Sequence, residues 1–232
     1  FLLDTRPSRT KREETIDRLV GSAQFLEHWT YKWSDLLQVN RKFLGEPGAA
    51  ALKEWIRGAV ASDMPYDRFA AALLDSSGST LKNPPAGYYK ILRRPEEVME
   101  NTTQLFLGVR FSCAKCHDHP FERWTQRNYW ELSDFFAQVE RKNAPGSPIM
   151  PAKGDNQPED APPAFEELVS DGSKGDVQPP SGGKILASFP FPVRGAEAQG
   201  EAAEVRPRRA QVTSWLTSPE NPYFARSLLA IA

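Results

Sequence analysis

The sequence predicts a mainly α-helical protein with a small irregular β excursion in its middle third. Three observations carry that reading. Apolar residues recur at helical spacing through most of residues 1–142. Eleven of the twenty prolines fall between residues 143 and 210, with many glycines and few aromatics, which argues against long regular elements there. Helical spacing then returns over 206–232. Apolar residues make up 40% of the 232, with six Trp, enough for one sizeable core or a core with an appendage.

The first helical signal is "RTKREETIDRLVGS", where Thr10 and Glu13 have the spacing of a capping box and Ile16, Leu19 and Val20 follow. "QFLEHWTYKWSDLLQV" places Phe25, Trp29, Trp33 and Leu36 on one face. "AALKEWIRGAV" puts Leu52, Trp55, Ile56, Ala59 and Val60 on one stripe, and Pro65 suits the first turn of the helix after it. "SSGSTLKNPPAGYY" reads as a loop from its Gly, Ser, Asn and Pro content. "PEEVMENTTQLFLG" is a helix opened by Pro95 with acids in its first turn and closed near Gly108. "WTQRNYWELSDFFAQVERK" has Thr125 as N-cap and Tyr129, Leu132, Phe136 and Val139 as its buried stripe. In 143–205, "ELVSDGSKGDV" predicts a hairpin turning at Asp171-Gly172, and "KILASFPF" a strand held to a sheet edge by its prolines. Residues 206–232 read as the helical start of a following domain, with Asn221 capping and Pro222 opening its second helix.

Composition excludes several function classes. A net charge of −1 and a pI near 6.4 give no general attraction to nucleic acid. No apolar run reaches the length of about 18 residues needed to span a membrane. No signal peptide, internal repeat, Ser-His-Asp set, P-loop or H-E-x-x-H pattern is visible. The chain starts at Phe1 and stops inside a helical pattern, so it reads as a piece of a longer protein.

The chemistry is concentrated in "SCAKCHDHPF", residues 112–121, which holds both cysteines and two of the three histidines. Cys113-Ala-Lys-Cys116-His117 is the pattern of covalent c-type haem attachment. Two thiols three apart reach the two vinyl groups of one porphyrin edge, and the next His lies under the iron. Chance would produce it in roughly one shuffled chain in several thousand. Zinc would need a fourth ligand, and the remaining His28 is on a distant helix. A thioredoxin-like pair expects a βαβ setting that these helical surroundings do not offer. A disulfide between the two cysteines would close a very small loop and stabilise little.

These residues also carry a family likeness. "TTQLFLGVRFSCAKCHDHPFERWTQRNYWELSDFFA" resembles the cytochrome-c-like domain of large secreted planctomycete proteins, the planctomycete cytochrome (PSCyt) family. "KWSDLLQVNRK", "KEWIRGAVASDMPYDRFAAALLDSSGST" and "NPPAGYYKILRRPEEVMENTTQLFLG" are similar to that family's segments in the same order. "RRAQVTSWLTSPENPYFARSLL" resembles the start of the uncharacterised domain that usually follows. The likeness implies one haem c attached at Cys113 and Cys116, with His117 as proximal iron ligand, in a periplasmic or otherwise extracytoplasmic protein. It implies no reaction. Lys32 stands where some members have His, so no distal ligand carries over at that position.

The second axial position is open to several side chains. Two residues span at most about 7 Å, too short for His119 to round the haem edge, so it reads as a polar rim histidine. His28 and Met99 are the distal candidates in that order, each competing with a plain core role; Met64 and Met150 lie in loop-like surroundings. Trp29, Trp33, Phe106, Phe111, Phe121 and Trp124 would line a haem or a core. Arg110, Lys115, Arg123 and Arg127 form a basic rim for propionates, a redox partner or solvent. The expected function is a mono-haem c-type cytochrome domain that carries electrons to a partner protein or to other domains of its parent chain. A haem enzyme or gas sensor with an open distal site, and a structural haem- or zinc-stapled module, are the competing expectations.

Overall fold

A computed structural model describes residues 1–150, 164–180, 182–194 and 206–231. The segments 151–163 and 195–205 of the Pro/Gly-rich stretch lie outside the described residues. Nine α-helices and a three-stranded sheet are present among the described residues: α1 (Ser8–Leu19), α2 (Ala23–Leu36), α3 (Arg41–Ala61), α4 (Tyr66–Leu74), β1 (Gly78–Ser79), α5 (Gly87–Ile91), α6 (Pro95–Leu107), α7 (Gln126–Asp134), β2 (Val139–Asn143), β3 (Glu167–Asp171), α8 (Arg208–Leu216) and α9 (Phe224–Ile231). Short 3-10 turns at Pro84–Ala86 and Phe111–Lys115 complete it. The fold is therefore mainly α with a small β excursion. None of these helices is long and apolar enough to cross a membrane.

Caps and breakers place most helix ends. Ser22 and Asn40 cap α2 and α3, accepting from the backbone N–H of Phe25 and Phe43. Gly45 interrupts α3 with a φ of 71°, and a Cβ there would meet the Phe165 ring at 2.5 Å, so backbone conformation and packing both require glycine. Pro95 opens α6, and Gly108 closes it in the left-handed region with a φ of 67°. Thr125 caps α7 in a reciprocal box with Asn128. The expected Thr10 cap is not used: α1 starts at Ser8, and Glu13 pairs with Arg9 instead.

The buried stripes of the later helices follow the expected faces, whereas Ile16, Leu19 and Val20 at the end of α1 are exposed. Leu52, Ile56 and Ala59 of α3 are buried with Trp33, Phe69, Met99 and Phe106. Trp33 and Trp55 meet Phe69 at 4.8 and 5.1 Å between ring centroids, and Tyr66 stacks on Phe224 at 4.7 Å. Burying one such ring stabilises by about 2–3 kcal/mol.

Three expectations fail, for tertiary reasons. The chain after α7 leaves the helix at Phe135, and Val139 begins β2 rather than ending a helical stripe. Strand pairing with β3 outweighs the helical period there, and the Arg141 guanidinium donates to the carbonyls of Tyr89 and Arg93. Asp171-Gly172 turns no hairpin: β3 ends there, and its antiparallel partners are β2 on one edge and β1, from the predicted loop, on the other. "KILASFPF" forms no strand, yet Phe189 of that segment stacks between Phe135 and Trp215 at 4.4 and 4.9 Å. The excursion thus reaches the core through a few side chains, Val177, Phe189, Phe191 and Val193.

Charged side chains pin that packing. Arg208 donates to the fully buried Asp134 at 2.8 Å. Arg209, 2% exposed, makes a two-pronged bond to Asp171 at 2.6 and 2.8 Å, donates to the Ser76 carbonyl and covers the Tyr89 ring. Lys90, 1% exposed, donates to the carbonyls of Ala164 and Phe165 at 2.6 and 2.8 Å. Burial pushes its amine down from 10.5 to about 8, with Glu167 opposing that shift.

Arg209→Ala should destabilise the protein by about 1–3 kcal/mol in denaturant titrations, because it leaves the buried Ser76 carbonyl without that donor, while Asp171 is exposed enough to rehydrate. Arg6→Ala, at an exposed pair with Asp4 and Glu14, should leave the unfolding midpoint nearly where it is. A second measurement addresses Lys90. Its folded state binds the proton more weakly than the unfolded state, so its contribution to stability grows as pH rises from about 8 to 10.5. The stability gap between the natural chain and Lys90→Met should therefore widen between about pH 7 and about pH 9.5; a flat gap would mean that the amine is not desolvated.

Candidate functional site

The cysteine motif sits on the short 3-10 helix that follows the Gly108 turn. A 3-10 helix repeats every three residues, so positions i and i+3 share a face. Phe111 and Ala114 take the inner face, at 1% and 0% exposure. Cys113 and Cys116 are one such step apart on the outer face, both exposed and both free thiols. Three hydrogen bonds and one ring contact hold the turn against α7. Gln126 Nε2 and Trp130 Nε1 both donate to the Lys115 carbonyl, at 3.1 and 3.3 Å. The backbone N–H of Gln126 donates to Asp118 Oδ1 at 2.8 Å, a carboxylate at the positive end of the helix. Phe111 packs on Trp124 at 5.0 Å.

His117 is exposed, and its Nδ1 lies 2.7 Å from the Asp118 carbonyl oxygen. A carbonyl only accepts, so Nδ1 carries the proton and the neutral ring keeps its lone pair on Nε2. His119 has the opposite arrangement. Its Nδ1 accepts from the backbone N–H of Phe121 and Glu122 at 3.3 and 3.0 Å, while the His119 backbone N–H donates to the Trp124 carbonyl at 2.8 Å. That lone pair is spent on the loop. Phe121, at the loop tip, is 93% exposed.

The turn presents two soft nucleophiles and one available imidazole nitrogen on a solvent-facing surface. Such thiols can add to an electron-poor double bond, and the Nε2 can ligate a metal. Among the described residues, no three His, Cys, Asp or Glu side chains converge on a point that would hold a metal ion.

The distal candidates are not gathered here. His28 is exposed on α2, edge-on to Trp29 at 5.8 Å, and α2 packs mainly on α3. The expected partly buried core role for His28 is therefore not what this helix gives. Met99 is fully buried in α6. Met64 is half-buried against the core after α3, and Met150 follows the bridge of Ile149 to Ala164. Of the four motif cations, Arg123 lies over Trp124 and donates to the Tyr223 hydroxyl. Arg127 pairs with Glu131 at 2.6 Å. Sequence reasoning missed Asp118, Gln126 and Trp130. Nothing in their spacing signals them, because each acts only once α7 lies beside the turn.

A family described as a protein of unknown function, PSCyt2 (DUF1549), matches residues 1–141. The chain belongs to the PSCyt2 family. No curated protein and no solved structure matches it. The PSCyt2 match covers α1 to α7 and the whole Cys-His turn, while β3, α8 and α9 lie beyond it.

His119→Ala should loosen the loop of this PSCyt2 chain without unfolding it. Amide exchange at Phe121 and Glu122 should accelerate by about tenfold or more, matching a lost bond of about 1–1.5 kcal/mol. His119→Asn, which keeps an acceptor, should restore part of the protection. Unchanged exchange in the alanine variant would show that the ring does not cap the loop.

Proposed function

We propose that this chain is a mono-haem c-type cytochrome domain that transfers electrons within or between extracytoplasmic proteins. The observation that carries the reading is the outward face of the 3-10 turn: both free thiols lie one turn apart, and His117 follows with Nε2 available. This donor set fits haem c. Cys113 and Cys116 would each add a thiol across one vinyl group to form a thioether. His117 Nε2 would be the proximal ligand, with the Asp118 carbonyl holding its ring in the required tautomer. Bound haem would supply a one-electron iron couple. The chain's part is to tether, to orient the imidazole and to keep the attachment edge at the surface, where a redox partner or a neighbouring domain of the parent chain can approach. An extracytoplasmic, periplasmic setting rests on the family likeness.

A haem enzyme or gas sensor with an open distal face is the second reading. It is favoured by the positions of Met99, enclosed in α6, and His28, exposed on a helix that packs on α3.

Protein made in a host that matures c-type cytochromes should exceed its polypeptide mass by one haem and keep that haem through acid–acetone extraction. Cys113→Ala or Cys116→Ala should leave a single thioether, and the double variant none. Freely extractable haem, or a bare polypeptide mass, would refute the proposal. Carbon monoxide and cyanide then separate the two haem readings. A carrier resists both ligands, whereas rapid stoichiometric binding identifies an open site.

A further inference from the structure

A cleft of about 370 Å³ opens beside the Cys-His turn, a volume at the small end of ligand sites. One wall is the outer face of α7, through Gln126, Arg127, Trp130 and Glu131. The other is made by Pro179, Lys184, Ile185 and Leu186. Gln126 and Trp130 are the same two side chains that donate to the carbonyl of Lys115, the residue preceding Cys116. The cleft therefore adjoins the turn that carries the thiols.

Its chemistry is mixed in a specific way. Trp130, Ile185, Pro179 and Leu186 offer apolar surface, and Leu186 is 60% exposed. Arg127 and Lys184 bring two cations against one carboxylate, Glu131. That carboxylate is engaged by Arg127 Nε at 2.6 Å, and its side chain is only 11% exposed. Lys184 has no ion-pair partner among the described residues. Arg127 is paired through one of its five N–H donors and is 80% exposed, so donors remain for a further anion. The cleft carries a net positive charge above an apolar wall, which suits a flat apolar body with an anionic edge.

We propose that the porphyrin tethered by its vinyl edge at Cys113 and Cys116 extends over the apolar wall of this cleft, so that its opposite, carboxylate edge meets Arg127 and Lys184. The inference rests on the haem reading above. It assigns a place to Leu186 and Lys184, which lie outside the family match. It also makes part of the Pro/Gly-rich excursion a wall of the cofactor site.

The test is the midpoint potential of the haem-loaded protein, read by spectroelectrochemical titration at low salt. Reduction adds one negative charge, so a nearby cation favours the reduced form and its removal lowers the potential. Lys184→Gln and Arg127→Gln should each lower it, and the double variant should lower it further. Leu186→Glu, which adds an anion to the same wall, should act in the same direction. Lys42→Gln, at the start of α3, changes net charge equally and should leave the potential in place. The shifts should shrink at high salt. All four altered side chains are exposed, so circular dichroism should show an unchanged fold. Covalent haem with the same potential in the natural chain and the double variant overturns the cleft assignment alone. A shift equalled by Lys42→Gln also overturns it, since it reports only net charge. A protein that carries no covalent haem overturns both this inference and the reading beneath it.

Discussion

The carbonyl of Lys115 accepts from Gln126 and Trp130 at once, and the geometry of the Cys-His turn depends on that one acceptor. A five-residue 3-10 helix is too short to hold itself in water. Here its inner face is buried through Phe111 and Ala114, and its free carbonyl is claimed by the first two turns of α7. With the helix fixed at that end, Cys113 and Cys116 have no course but outward. Asp118 extends the same tie by accepting from the first N–H of α7. Its own carbonyl then sets the tautomer of His117. Thiols, imidazole and helix start thus form one hydrogen-bonded unit.

That unit stands on a frame braced by two buried cations, Lys90 and Arg209, and by the half-buried Arg208. Lys90 holds the chain at Ala164 and Phe165, Arg209 holds Asp171 at the end of β3, and Arg208 holds Asp134 at the end of α7. Each bridges segments far apart in sequence, and each ends on a backbone carbonyl or a carboxylate of the segment it holds. The consequence for the site is indirect but physical. Asp134 closes the helix whose other end carries the turn, and Phe189 stacks on Phe135 just beyond it. The Pro/Gly-rich stretch therefore steadies α7 and provides the second wall of the cleft beside the motif.

Much of the helical frame was legible because its signals are local. Pro95, Gly108, Thr125, Ser22 and Asn40 act on backbone groups within a few residues, and the stripe of Leu52, Ile56 and Ala59 needs only the helical period to be seen. The Cys113-x-x-Cys116-His117 spacing is local too. The misreadings share the opposite property. Val139 has a helical phase relative to Phe136, but its residue type suits a strand equally well, and β3 supplied its partner, Asp171, from far along the chain. Gly78 and Ser79 carry turn residues, yet they pair with Val169 and Leu168. His119 looked like a rim histidine from chain reach alone; that its lone pair caps two backbone amides required the loop to be closed.

By itself the sequence determined the mainly helical class, the positions of most helix ends, and the grouping of two thiols and an imidazole within five residues. These follow from covalent spacing, backbone preference and hydrophobic period, all of which act over one or two turns. Only the tertiary structure decided that the thiols face solvent, that His117 keeps Nε2 available while His119 spends Nδ1 on its loop, and that Pro179 and Lys184 to Leu186 lie opposite α7. It also decided that Met99 is enclosed and His28 is not. Exposure and hydrogen-bond partnership are properties of what lies across a gap in space. The groups that settle them here, Trp130 and Gln126 for the turn and Phe189 for α7, meet their partners only after the chain has packed.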